Sequence, residues 1–217
     1  MQTDRPQLVI FDCDGVLVDS EPAINAVLSD NLTRHGLALS PDECMRAFMG
    51  RKMSEIAAQA SDMGARLPDD WVAEVYRSMY ARLREGVPVI DGVHDLLVHL
   101  EDAGIAYCVA SNGSEEKMSI TLGHTGLWER FSEVLFSAHT HGVAKPDPRL
   151  FQIAADRFKV PYRHCVVIED SVPGSLAARR AGMRCLGYAA HGDGAALKAQ
   201  GATVFTEMSE VVTLLYG

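Results

Sequence analysis

The 217 residues are 47% hydrophobic, enough apolar material for one large domain or one domain carrying an insert. Twenty Lys and Arg against 29 Asp and Glu leave a formal charge of −9, which argues against a general binder of nucleic acid or of anionic membranes. No segment approaches the roughly 18 apolar residues that span a bilayer, the first ten residues do not read as a signal peptide, and five scattered cysteines (13, 44, 108, 165, 185) lack C-x-x-C spacing; reduced thiols and a cytoplasmic location are expected.

The apolar run Leu8-Val9-Ile10 reads as a buried first strand, and it leads straight into "FDCDGVLVDS", residues 11 to 20. Asp12 and Asp14 fall on one side of an extended strand tip, where their charge is costly unless something positive is held there. Cys13 between them points the other way and reads as packing. Residues 20 to 86 have a different texture: "PAINAVLSDNLTRHG", "PDECMRAFMG", "KMSEIAAQASDMG" and "DDWVAEVYRSMYARLREG" are four helical patterns with no strand between them. Met45, Met49 and Met53 recur at i, i+4 and i+8 around Gly50 and read as core or cap packing, as Trp71 and Trp128 read as core or interface residues.

From about Val89 onward, strands alternate with helical stretches. Residues 105–111, 133–138, 165–170, 184–189 and 203–205 are the expected strands. Helices are expected near 92–103, 114–124, 148–159, 173–181, 193–200 and 207–215. Gly104 and Gly182 stand where C′ glycines end helices, and Pro148 after Asp147 reads as N1 after an N-cap. The fold class is α/β: a parallel-sheet, Rossmann-like core with helices on both faces, residues 1–18 and 88–217, and an inserted all-α cap domain, residues 19–87. No internal repeat and no low-complexity tract interrupts it.

Open parallel sheets bind ligands beyond the carboxyl ends of their strands. In this chain the polar residues gather there: Asp12 and Asp14 after the first strand, Ser111-Asn112-Gly113 after the next, Glu169 and Asp170 after "CVVI", and Lys145 in "GVAKPDP". Four acids, a hydroxyl and a lysine spread over nearly 160 residues are thereby expected to converge. Several carboxylates call for a hard cation with oxygen ligands, and Mg²⁺ takes one or two carboxylates together with phosphate oxygens. Mg²⁺ and Lys145 would admit a phosphate dianion, which the backbone N–H groups after Ser111-Asn112-Gly113 can also hold. The residues therefore point to metal-assisted phosphoryl chemistry, with Asp12 able to attack phosphorus and Asp14 able to protonate the departing oxygen.

"DCDGVLVDS", "SNG", "KPDP" and "IEDS", in this order and over essentially the whole chain, resemble the haloacid dehalogenase superfamily, in the phosphatase and phosphomutase branch with a helical cap after the first strand. "FMGRKMSEI" is similar to the cap segment of 6-phosphogluconate-type sugar-phosphate phosphatases. The resemblance implies Asp12 as nucleophile and Asp14 as acid/base. It implies Mg²⁺ held by Asp12, the Asp14 carbonyl and Asp170, with Glu169 supporting or replacing a ligand. Ser111, Asn112 and Lys145 would hold the transferring phosphate, and Arg51 or Lys52 in the cap loop would meet a second anionic group on the substrate. True dehalogenases replace the second aspartate, which is present here as Asp14, and β-phosphoglucomutases carry a histidine five residues after the aspartate of "VDS", where this chain has Ile24.

The expected activity is Mg²⁺-dependent hydrolysis of a small phosphate monoester, a sugar phosphate or phosphosugar acid, by a monomer or weak dimer without nucleic-acid or membrane partners. A sugar phosphomutase is the alternative, and a phospho-accepting module similar to a receiver domain is a third reading that the inserted cap opposes. Closure of the cap is expected to hinge near residues 17–20 and 86–89. "DCDG" fails as an EF-hand because Gly15 and Ala23 fall at positions four and twelve. "GDGAAL" is an incomplete dinucleotide fingerprint, and His139 and His141 read as loop histidines without partner ligands.

Overall fold

The computed structural model describes residues 5–48, 51–190 and 192–217. Six strands, β1 (Leu8–Phe11), β2 (Ala106–Ser111), β3 (Leu135–Ser137), β4 (Cys165–Glu169), β5 (Arg184–Tyr188) and β6 (Thr203–Phe205), form a parallel sheet in the order β3-β2-β1-β4-β5-β6. Between β1 and β2 run α1 (Glu21–Arg34), α2 (Pro41–Phe48), α3 (Met53–Asp62), α4 (Trp71–Leu83) and α5 (Val93–Asp102). Then come α6 (Glu115–Gly123) and α7 (Trp128–Phe131) before β3, and α8 (Ala138–His141) and α9 (Arg149–Phe158) before β4. The helices α10 (Val172–Arg180), α11 (Ala195–Ala199) and α12 (Ser209–Tyr216) complete the chain. Among the described residues no helix is long and apolar enough to cross a membrane.

All four β1 residues are inaccessible, because a strand flanked by β2 and β4 and covered on both faces has no side left for water. Leu8 and Ile10 face a core built with Ala110, Val167, Phe151 of α9 and Ala177 of α10. Phe11, pointing the other way, meets the Phe131 ring edge-on at 6.1 Å. Each such large side chain contributes about 1.5–3 kcal/mol by leaving water. The strand order reverses between β1 and β4, so the crevice at their carboxyl ends is the topological switch point of the sheet.

The chain divides into two compact units, one running up to Asp19 and resuming over Pro88–Gly217, the other Ser20–Val87. The first unit's outgoing and returning segments pair side by side: the Asp19 N–H donates to the Pro88 carbonyl at 2.9 Å, and Ile90 N–H to the Leu17 carbonyl at 3.1 Å. The second unit is held by apolar residues at helical spacing, Leu28 and Leu32 in α1, Cys44 and Phe48 in α2, Ile56 and Ala60 in α3, and Trp71, Val75 and Met79 in α4. Buried Trp71 donates its indole N–H to Asn31 Oδ1 at 2.5 Å, so the largest side chain of that core carries no unpaired donor.

Several local expectations are corrected. Met45 lies in α2 and Met53 opens α3, where it packs against the helical core, while Met49 and Gly50 lie outside the described residues. α9 starts at Arg149 rather than at Pro148, and the Asp147 carboxylate accepts the Arg149 N–H at 2.9 Å. His139 and His141 lie in the single turn of α8, and Trp128 opens another single turn; neither turn is long enough to print a period in the sequence. Gly104 and Gly182 do close α5 and α10 from the left-handed region, at φ of 65° and 70°.

Candidate active site

Asp12 is the first residue past β1, its N–H still bonded to the Ile168 carbonyl at 2.9 Å, so the strand ladder itself sets the position of the carboxylate. The chain then folds into a tight loop, with Leu17 and Val18 N–H groups donating to the Cys13 carbonyl and Gly15 N–H to that of Val18. Gly15 sits at φ +79°, and a Cβ on it would lie 2.0 Å from Asp170 Oδ2. The glycine is thus demanded both by the backbone and by the carboxylate packed against it. Gly15→Ala should cost about 1–3 kcal/mol in strain and displace Asp170; urea denaturation is the check, and an unchanged midpoint would contradict the packing.

Lys145 reaches the crevice from the loop between α8 and α9. Its Nζ donates to Asp12 Oδ1 at 2.5 Å and to Glu169 Oε1 at 2.6 Å, above the Phe151 ring, with the lysine side chain 3% exposed. Glu169 is fully buried, and its second oxygen accepts from the Ser171 N–H and hydroxyl, both at 2.7 Å. Its carboxylate lies so close over the first turn of α10 that a Cβ on Gly174 would meet Oε1 at 1.8 Å. Glu169 therefore has both oxygens engaged by the protein, the arrangement of a brace for Lys145.

Ser111, Asn112 and Gly113 end β2. The buried Ser111 hydroxyl accepts the Gly113 N–H at 3.0 Å, and the Gly113 carbonyl is held by the buried Ser137 hydroxyl of β3 at 2.7 Å. The Asn112 side chain does not present itself to a ligand: its Oδ1 accepts the Lys145 N–H at 2.9 Å, and its amide donates to the Lys145 carbonyl at 3.4 Å. It clamps the backbone of Lys145.

Asp14 is met by Lys117 of α6, Nζ to Oδ2 at 2.8 Å. Sequence reasoning missed Lys117, as it missed Ser137 and Ser171. A signal for Lys117 existed: it stands in the first helical turn after the N-cap Ser114, where a cation opposes the helix dipole and so asks for a partner. Four carboxylates (Asp12, Asp14, Glu169, Asp170) and two ammonium groups (Lys117, Lys145) leave the crevice two formal charges negative. Burial, reinforced by Glu169 and Asp14, raises Asp12 to about 7 against the pull of Lys145. Lys145 is held above its usual range because its two carboxylate partners outweigh the cost of burial. Asp12, Glu169 and Asp170 each bring a carboxylate oxygen within 4.8 Å of the others, an all-oxygen set suited to a hard cation.

The crevice thus collects Asp12, Asp14, Ser111, Asn112, Lys145, Glu169 and Asp170 in one unit. Arg51 and Lys52 belong to the other unit, exposed in the segment joining α2 to α3. Over residues 9–188 the sequence matches the family described as haloacid dehalogenase-like hydrolase. The chain belongs to that family.

Among haloacid dehalogenase-like hydrolases it is similar to 6-phosphogluconate phosphatase of Escherichia coli strain K12, 32% identical over 212 residues, covering 97% of this chain and 95% of the relative. It is also similar to phosphoglycolate phosphatase of Xanthomonas campestris pv. campestris strain 8004, 33% identical over 181 residues, 82% of this chain and 80% of the relative. The solved structure of a HAD family hydrolase from Deinococcus radiodurans R1 with bound phosphate and sodium superposes with a TM-score of 0.85 at 30% identity, covering 98% of this chain and 96% of that one. This haloacid dehalogenase-like chain is accordingly a phosphatase, a hydrolase of phosphoric monoesters.

Proposed function

We propose that the protein is a Mg²⁺-dependent phosphatase that hydrolyses a small phosphorylated metabolite, a sugar phosphate or phosphosugar acid, through an aspartyl-phosphate on Asp12. The observation that carries this reading is a buried nucleophile candidate, Asp12, in direct contact with Lys145 and two residues from a second carboxylate, Asp14, at the switch point of a parallel sheet. The similar phosphatases from E. coli and X. campestris are named for phosphorylated sugar acid and hydroxy acid substrates, which supports the substrate class.

The residues fit a divalent cation on two counts: the donors are all oxygen, and the crevice carries two excess negative charges. Asp12, Asp170 and the Asp14 carbonyl would hold it, with Glu169 as support, since both Glu169 oxygens are already bonded within the protein. When bound, the cation supplies charge neutralisation that lets a phosphate dianion and a carboxylate approach each other.

In the first step a carboxylate oxygen of Asp12 forms a bond to phosphorus as the bond to the ester oxygen breaks. Asp14, as the carboxylic acid, gives that oxygen its proton, and the alcohol leaves. In the second step the Asp14 carboxylate takes a proton from water, whose oxygen attacks phosphorus and frees Asp12 and inorganic phosphate. Ser111, Lys145 and the Asn112 backbone N–H hold the phosphoryl oxygens while charge moves between them. Residues 19–87 serve as the cap, with Arg51 or Lys52 reading a second anion on the substrate. Ile24 packs against the helical core of that unit in the position where mutases of the family carry histidine, which favours hydrolysis over phosphoryl return.

A phosphate-release screen over sugar phosphates, phosphosugar acids, phosphoglycolate and nucleotides tests the reading. Turnover of one of the first three classes is expected with Mg²⁺. Chelator should lower it by at least about 100-fold, with recovery on adding Mg²⁺ back, since a metal supplies several kcal/mol of charge stabilisation. Full activity in chelator would overturn the metal assignment, and isomerised sugar phosphate without free phosphate would overturn hydrolysis.

A further inference from the structure

We propose that Lys117 is a positioning residue for proton transfer: its ammonium fixes the Asp14 carboxylate in the orientation from which Asp14 reaches the leaving oxygen. The assignment rests on the phosphatase reading above, in which Asp14 is the acid/base.

The contact is short, 2.8 Å, between side chains only 20% and 23% exposed. A charge-assisted bond in that setting is stronger and less screened than a surface ion pair, and it holds a side chain with two free torsions to one rotamer. Lys117 is itself anchored, because its N–H donates to the Ser114 hydroxyl that caps α6, at 3.1 Å. Its stem passes Gly113, where a Cβ would lie 3.6 Å from Lys117 Cδ, 3.8 Å from Asp14 Oδ2 and 3.3 Å from Ser111 Oγ. One short segment therefore braces both partners of the reaction centre: Asn112 clamps Lys145, and Lys117, five residues later, holds Asp14.

Helix stability does not account for the residue. A cation in the first turn of α6 works against the helix dipole. What the position gains is a defined carboxylate, and general acids act only within about 2.6–3.2 Å of the atom they serve. A displacement near 1 Å costs on the order of 100-fold.

The test compares two esters on the parent, Lys117→Met and Lys117→Arg, in Mg²⁺: the alkyl phosphate found in the release screen, and p-nitrophenyl phosphate, whose leaving group departs without a proton. Lys117→Met should lower kcat on the alkyl ester about 30–100-fold with KM changed less than about 3-fold, and lower kcat on p-nitrophenyl phosphate less than about 3-fold. Lys117→Arg should restore most of the loss, and Lys117→Met should cost nothing more once Asp14→Asn is present. Equal losses on the two esters, or no loss on the alkyl ester, would overturn the assignment. Should Lys117→Met melt early, Lys117→Gln, which keeps N–H donors, carries the same comparison. A parent that releases phosphate from neither ester would overturn the phosphatase reading, and this assignment with it, whereas an active parent with unbiased variants removes this assignment alone.

Discussion

Asp12→Asn should abolish turnover of every ester the parent hydrolyses, by about four to six orders of magnitude, the scale seen when a covalent nucleophile is removed. In the proposed covalent scheme the amide has no anionic oxygen to bond to phosphorus, so neither step could begin. The same substitution should raise stability in chelator at alkaline pH. Asp12 titrates in the fold at about 7, above its ordinary value of 3.8, because burial and the neighbouring acids penalise its charge. A carboxyl raised in the fold carries no penalty below its unfolded pKa. The penalty then grows as pH climbs through the window between the two values and is complete above the folded one. Urea midpoints in chelator should therefore separate Asp12→Asn from the parent at pH 8 and bring them together near pH 4. Undiminished phosphate release by Asp12→Asn would end the covalent scheme, and a midpoint difference largest in acid would reverse the electrostatic reading.

Lys145→Met should destabilise the protein by about 3–5 kcal/mol, the usual consequence of deleting one partner of a buried ion pair. Lys145 Nζ is shared by Asp12 and the fully buried Glu169, at 2.5 and 2.6 Å, so methionine leaves two carboxylates facing each other without a cation. Neutralising one of them should recover part of the loss: Lys145→Met with Glu169→Gln should be more stable than Lys145→Met alone, although Glu169→Gln by itself destabilises. That non-additivity is the signature of groups acting on one another. Urea denaturation of the four proteins at pH 8 in chelator measures it. A Lys145→Met loss below about 1 kcal/mol would mean that the ammonium is not what holds the crevice together.

These two residues differ in how visible they were beforehand. Asp12 announces itself, because an acid at the end of the apolar run Leu8–Phe11 has no structural reason to be there. Lys145 could be assigned to the site only as one residue of a loop. That it is sandwiched between Asp12 and Glu169, with its backbone held by Asn112, depends on β1, β2 and β4 lying side by side, a fact of strand order. The Asn112 side chain shows the limit plainly. Its residue type suits a phosphate or a backbone amide equally, and only the approach of a segment 33 positions away decides between them.

Periodicity was sufficient for the rest of the architecture. Apolar runs of strand length and the i, i+4 spacing of Leu28 with Leu32 and of Trp71, Val75 and Met79 follow from backbone geometry, which is local. The single turns at Trp128–Phe131 and Ala138–His141 escaped because a stretch shorter than one period carries no periodic signal. Residue order alone thus specified the α/β alternation, the helical insert and the acids at the strand ends. The pairing of Lys117 with Asp14, the bracing of Lys145 by Glu169 and Asn112, and the crowding of Asp170 onto Gly15 were settled in three dimensions. The reason is physical: a sequence states which groups a chain owns, whereas a hydrogen bond or an ion pair needs a direction and a distance, and those exist only once segments far apart in the chain have been packed against one another.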